Sequence, residues 1–190
     1  VTTGENTRSE GTERGWAPPS EPLPWESDED LAVFEGGALG VGPQVCRGRS
    51  RDLSPLVALA LARLRVDVLV VEAGSAHAEL DELDADPATQ HFWIEDGGLA
   101  VACVRLVTEP DGTRCIDRAC SRRDVRGLGL VGALVTDVVA RHGGGPLRAL
   151  GRPSTLPYFL RQGFEISGPT VVAGGERCTP LVRRPEAPWR

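Results

Sequence analysis

The chain has 190 residues, 41% of them hydrophobic and 25% charged, with 23 Gly, 15 Pro and no Met, the profile of one globular domain plus an additional polar segment. All 21 basic residues are Arg, which excludes chemistry built on a lysine amine, such as a Schiff base or a phosphate-loop lysine. The net charge of −6 resides in residues 1–30, where eight acids face two Arg, while residues 31–190 hold nineteen of each, so no basic excess marks a nucleic-acid binder.

Residues 1–30 are polar, proline-rich and too poor in aliphatics to offset the entropy of ordering. They are predicted to form a disordered acidic tail with Trp16 and Trp25 as its apolar points, followed by one domain over 31–190. Residues 45–53 read as a short strand. Asp52 or Ser54, ahead of Pro55, is a helix start, and Leu56, Leu59, Ala60, Arg63 and Leu64 repeat at helical spacing. VDVLVVEA (66–73) is expected to extend that helix, and the acidic stretch 74–90 to form a loop with one helical turn.

Residues 91–121 carry the clearest β signal. HFWI, LAVACVRLV and RCIDRACS, separated by EDGG and EPDGT turns, predict three consecutive antiparallel strands. LVGALVTDVVARH (130–142) is apolar on nearly all faces and stops at GGGP, as a buried helix does. LRAL (147–150) is a short strand, Ser154 or Thr155 opens a short helix through Arg161, and residues 164–183 read as a final hairpin. The pattern is α+β around one sheet.

Five Cys with no CxxC pair, at 46, 103, 115, 120 and 178, argue for free thiols in a reducing cytoplasm. The three His at 77, 91 and 142 are too scattered for a metal cluster. Arg and Asp interrupt every apolar stretch short of about 18 residues, so no membrane span is expected.

The segment with chemistry is Arg126-Gly127-Leu128-Gly129-Leu130-Val131-Gly132, between a strand and a helix start. Glycines there let successive N–H groups converge on one point, reinforced by the helix dipole, and such a turn binds phosphate. A tight connection that binds nothing is the plainer alternative. Gly127, Gly129 and Gly132 also satisfy GxGxxG, but a dinucleotide site needs a parallel βαβ unit and an acid about 20 residues on. The flanking strands read as an antiparallel meander instead.

The same turn resembles the coenzyme A pyrophosphate loop of the GNAT acetyltransferases, [R/Q]-x-x-G-x-[G/A], with Val131 at its last small position. From about residue 45 to the end, the chain resembles the GNAT superfamily, and within it the ElaA-like branch. LARLRVDVLVVEA is similar to that group's LRVDVFVVEQ, AELDELD to YPELDGRD, ATQHFWI to TRHLWL and ERCTPLVR to IPHTPMR. The resemblance implies an α+β GNAT fold, a mixed and mostly antiparallel sheet flanked by helices. It further implies acetyl-CoA as co-substrate, the pantetheine against Ala119, Cys120 and Ser121, and the pyrophosphate on Arg126, Gly127, Leu128, Gly129, Leu130 and Val131.

The resemblance also sets the acceptor side. Glu72, Glu79, Leu80, Asp81, Asp84 and His91 match the branch, whereas Ala73, His77, Glu82 and Cys178 depart from it. Glu72 or Glu79 is the expected general base, with Asp117 an outside candidate. The family's tyrosine position holds Phe159, with Tyr158 beside it; Tyr158 replaces the missing acid only if the helix start is rotated. Glu79, Asp81, Glu82, Asp84 and Asp86 either form a solvated loop or line an acceptor groove, where their sign favours a cationic amine. His91, opening a strand, reads as a hydrogen-bonded structural residue before a base.

The expected function is acetyl transfer to an amine, whether a small molecule or a peptide. A degenerate, non-catalytic acyl-CoA-binding or interaction module is the alternative, and a nicotinamide oxidoreductase using GLGLVG is a remoter one.

Overall fold

The structure, a computed structural model, describes residues 44–185. The acidic tail, with Trp16 and Trp25, lies outside the described residues.

Strand β1 (Val45–Arg49) leads through a 3-10 turn to α1 (Pro55–Val66). Ser54 caps α1 by accepting the Val57 amide at 3.3 Å, and Pro55 occupies the first turn, where its missing N–H costs nothing. The 66–73 segment continues the helix as its sequence predicts, but as a π-helical turn over Asp67–Glu72. Such wider turns are local insertions that often adjoin functional sites. The acidic loop contains α2 (Glu82–Ala85), held by a reciprocal cap between Asp81 and Asp84.

The meander forms as predicted: β2 (Gln90–Asp96), β3 (Leu99–Thr108) and β4 (Arg114–Ser121), all antiparallel, with β1 on the outer edge of β2. Helix α3 (Leu130–His142) then carries the chain to β5 (Leu147–Gly151), and α4 (Leu156–Arg161) leads to β6 (Glu165–Ile166), β7 (Val171–Ala173) and β8 (Glu176–Arg183). The strand order is β1-β2-β3-β4-β5-β8-β6, with β7 also on β8.

β5 runs parallel to β4, which makes the sheet mixed as the family resemblance implies; the strand pattern around the glycine-rich turn, read by itself as an antiparallel meander, did not give this β4-α3-β5 crossover. A 13-residue helix between neighbouring strands carries the chain back to the starting edge of the sheet, and the second strand then runs in the same direction. The dinucleotide reading does not recover, because Leu147–Pro153 contains no acid to meet a ribose.

Both faces of the sheet are covered, with a period of two. Ala102, Val104 and Leu106 of β3 join Leu134, Val135 and Val138 of α3 in the larger core. Cys103, between them, joins Leu61 and Leu64 of α1, Leu69 and Trp93 in a second cluster. Burying each large aliphatic side chain contributes about 1.5–3 kcal/mol, enough for two thin cores to clamp the strands whose far ends frame the site.

Candidate functional site

β4 and β5 pair only at Arg114–Leu147, Cys115–Arg148 and Ile116–Ala149. Beyond that point they part. The register of β4 on β3 jumps from Arg105–Asp117 to Cys103–Cys120, a bulge that leaves Arg118 and Ala119 out of both ladders. Arg118 has φ +52°, a left-handed conformation that costs a non-glycine residue about 1–3 kcal/mol and persists only where its surroundings hold it.

Those surroundings are an ion cluster beneath the bulge. Arg118 meets Glu79 at 3.1 Å and Asp81 at 2.9 Å, and Arg105, 1% exposed, meets Asp81 at 2.6 Å and Asp117 at 2.8 Å. Arg65 bonds Glu79 at 2.9 Å and Asp84 at 2.5 Å. The hydrogen bond from Arg105 holds the Asp81 carboxyl below its ordinary range. For Asp84, burial works upward and is overcome by hydrogen bonds from Arg65 and the Asp81 amide.

The acidic loop is therefore neither solvated nor a bare acidic groove: Glu79, Asp81 and Asp84 are consumed by three arginines. Glu82 remains exposed. Glu79, 3% exposed, also accepts a 3.0 Å contact from His77. The structure does not bring it to the cleft described next. Both oxygens of Asp117 are bonded to Arg105, at 2.9 and 2.8 Å. His91 is buried against Ser50 at 3.0 Å, and burial holds its pKa down at about 4, so it is a neutral structural residue at ordinary pH.

A cleft of about 440 Å³ lies where β4 and β5 part. One wall is Ala119, Cys120 and Ser121; another is Arg126, Gly127, Gly129, Leu130 and Val131. Of the predicted phosphate-turn residues only Leu128 is not on the wall; it is exposed instead. Gly127 and Gly129 have φ +83° and +77°, and a Cβ added at either would meet no atom within 4 Å. The glycines are thus required by backbone conformation, and the space beside them is open. Gly129 is the N-cap of α3 with no side chain capping the helix, so the first-turn amides depend on a ligand or water. Val131 does not crowd the turn, for it is 6% exposed and packs in the larger core.

Glu72 and Tyr158 also line the cleft. Arg126 donates to both Glu72 oxygens, at 2.6 and 2.7 Å, and to the Ser121 carbonyl at 3.3 Å. That bidentate contact lowers the Glu72 pKa. Tyr158 lies over α3, where the absence of a side chain at Gly132 makes room: a Cβ there would sit 3.3 Å from its ring. The family's tyrosine position does not face the cleft. Phe159 is 1% exposed, and its ring packs edge-on against Phe164 at 5.2 Å. Tyr158, one residue and about 100° around the helix, takes the cleft side instead.

Cys120 is a wall residue without thiolate chemistry. Its hydrogen bond with Cys103, at 3.6 Å, and its burial push its pKa well up. Sequence reasoning missed Arg152, Ser154, Thr155 and Glu176, the further polar residues of a wall that Val68, Leu69, Ala73 and Val125 complete. Arg152 had a signal, lying just past the carboxyl end of a strand, where α/β sheets bind ligands. Glu176, opening the last strand, had none.

No family profile matches the chain. A UPF0039 protein of Mycobacterium tuberculosis is 32% identical over 138 residues, 70% of this chain and 88% of that protein, and one from Mycobacterium bovis matches to the same extent. Among solved structures, an acyl-CoA N-acyltransferase from Pseudomonas aeruginosa has a TM-score of 0.66 at 24% identity, covering 74% of this chain and 99% of that one. Escherichia coli ElaA has a TM-score of 0.67 at 17% identity, with the same coverage. The α+β architecture is the acyl-CoA N-acyltransferase fold, and its likeness to ElaA agrees with the sequence resemblance. With an extensive relative at that identity and this fold beneath it, the chain belongs to the UPF0039 family and has the GNAT fold.

Proposed function

We propose that the protein transfers an acetyl group from acetyl-CoA to an amine. The observation that carries this reading is the parting of β4 and β5 beside an uncapped α3 start, which puts free strand edge and converging amides on one cleft. The amides of Gly127–Val131 suit the diphosphate, and the unpaired edge at Ala119–Ser121 suits the amide-bearing arm of the cofactor.

In the reaction the neutral amine attacks the thioester carbonyl, a C–N bond forms and the C–S bond breaks, its electron pair leaving on sulfur. A backbone N–H of the β4 bulge, fixed in place by the Arg118 ion pairs, meets the developing oxyanion. Tyr158 supports the role of proton donor to the departing sulfur because its side chain is on the cleft wall. Glu72 stands on the same wall, yet its tie to Arg126 makes it a weak proton acceptor. The amine proton passes to solvent or to a wall carboxylate. Two departures that favour a non-catalytic module lose force, since Val131 and Phe159 both sit in the core.

The test is calorimetric titration of the full chain with acetyl-CoA and, separately, NADPH, followed by transfer assays on an amine panel. Acetyl-CoA binding that is lost in Gly129→Val supports the reading. Binding of NADPH with none of acetyl-CoA overturns it. Tight acetyl-CoA binding with no transfer to any amine favours the non-catalytic alternative.

A further inference from the structure

We propose that the acceptor is a small amine that also carries a carboxylate, recognised by Arg152 and Glu176; this rests on the acyl-transfer reading above. A second cavity, of about 70 Å³, adjoins the cleft and shares Leu69, Ala119, Arg152 and Thr155 with it. It has room for roughly five water-sized groups, so the acceptor is small.

The charges on its wall are Asp117, Arg118 and Arg152. Asp117 is held on both oxygens by Arg105, and Arg118 is committed to Glu79 and Asp81. Arg152 is different. Its one ion-pair contact among the described residues is Glu176, at 3.4 Å, and that carboxylate is itself 40% exposed. A guanidinium offers five N–H donors in a planar fork that matches a carboxylate. Most of that capacity is unused.

Position makes the unused capacity informative. Arg152 and Ala119 line both cavities, which puts the guanidinium on the same walls as the strand segment where the thioester belongs. A Cβ at Gly174, on the wall of the small cavity, would lie 3.5 Å from Arg152 Nη2, so the fork reaches that cavity. Glu176 lines the cleft on the other side of the same contact. An acceptor seated there divides the weak pair, its carboxylate on Arg152 and its amine toward Glu176 and the thioester. The acidic loop, neutralised by Arg65, Arg105 and Arg118, supplies no opposing selection for a purely cationic amine.

Glycine, alanine and β-alanine, each paired with its own carboxamide, test this in transfer assays under saturating acetyl-CoA, with wild type, Arg152→Gln and Glu176→Gln. In wild type at least one free acid is expected to exceed its carboxamide by tenfold or more in kcat/KM, and Arg152→Gln to bring that ratio close to one. The ratio is read within each protein, so weaker folding or weaker acetyl-CoA binding in a variant cancels. Should Arg152→Gln not fold, Glu176→Gln, at an exposed side chain, is expected to raise KM for acid and carboxamide alike, since both carry the amine that Glu176 meets; an unchanged KM for both would overturn the inference. Carboxamides matching or exceeding all three acids in wild type would overturn the inference, as would an undiminished ratio in Arg152→Gln. Failure of wild type to bind acetyl-CoA at all would instead remove the acyl-transfer reading.

Discussion

Glu72 and Arg126, from the π-helical turn and the glycine-rich turn, are joined by two hydrogen bonds of 2.6 and 2.7 Å on the wall of the cleft. A diphosphate on the adjacent amides must compete with Glu72 for the same guanidinium. Glu72→Gln weakens the internal competitor, a half-exposed pair worth about 0.2–1 kcal/mol. It is expected to tighten acetyl-CoA binding roughly two- to fivefold. Arg126→Ala is expected to weaken it by about 1–3 kcal/mol. Calorimetry on both variants decides the matter; unchanged affinity in both would place the phosphates elsewhere.

Tyr158 and Phe159 are neighbours with opposite expectations. Tyr158→Phe removes the hydroxyl on the cleft wall and is expected to lower kcat by about 10²- to 10⁴-fold with little change in acetyl-CoA affinity. Phe159→Tyr is expected to leave activity unimproved and to lower stability by about 1–3 kcal/mol, because the added hydroxyl enters the contact with Phe164 without a partner. Denaturant unfolding beside steady-state kinetics distinguishes the two. A stable and faster Phe159→Tyr would show that the ring edge reaches the cleft.

Acid should destabilise the domain in two stages. His91 is held near pKa 4, first by burial and then by the Arg65 charge, below its ordinary 6.5. The unfolded chain therefore takes up a proton that the folded chain refuses. Stability is complete above pH 6.5 and falls as pH drops toward 4, by up to ~3 kcal/mol. Asp81 and Asp84, held below their ordinary range by their arginines, add stability that is present above that range and lost at still lower pH. Unfolding midpoints measured from pH 7 to pH 4 are expected to decline in wild type and to decline less steeply in His91→Gln.

Arg105→Met tests the cluster under the bulge. It leaves Asp81 and Asp117 with less compensation, and breaking a buried pair from one side costs about 3–5 kcal/mol. Equilibrium unfolding should register that loss. A change below about 1 kcal/mol would mean that water already compensates the two carboxylates.

Much of the frame is legible in local chemistry. Ser54-Pro55 marks a helix start, Asp-Gly pairs mark the hairpin turns, and Gly127 with Gly129 marks the left-handed turn into α3, because each signal is confined to a few adjacent residues. What stays hidden depends on distance along the chain. Nothing near Glu79 announces that Arg65, fourteen residues away, and Arg118 will neutralise it. Arg118 looks like an ordinary strand residue, although it adopts φ +52°. That Tyr158 lines the cleft while Phe159 packs on Phe164 in the core depends on how a six-residue helix sits against α3 and Phe164, which sequence spacing does not give.

The three residue pairs that join β4 to β5 are also the shortest stitch in the sheet's central span. On one side stand β1 and the three strands of the meander; on the other, β5 with β8, β6 and β7. Local opening is cheapest where few ladder bonds resist it, so the two half-sheets should breathe about this stitch. A ligand lodged between the parted ends grips both halves and suppresses that motion. Hydrogen exchange should report it: with acetyl-CoA present, amides over 114–121 and 147–151 slow together, while those pairing β1 with β2 keep their rates.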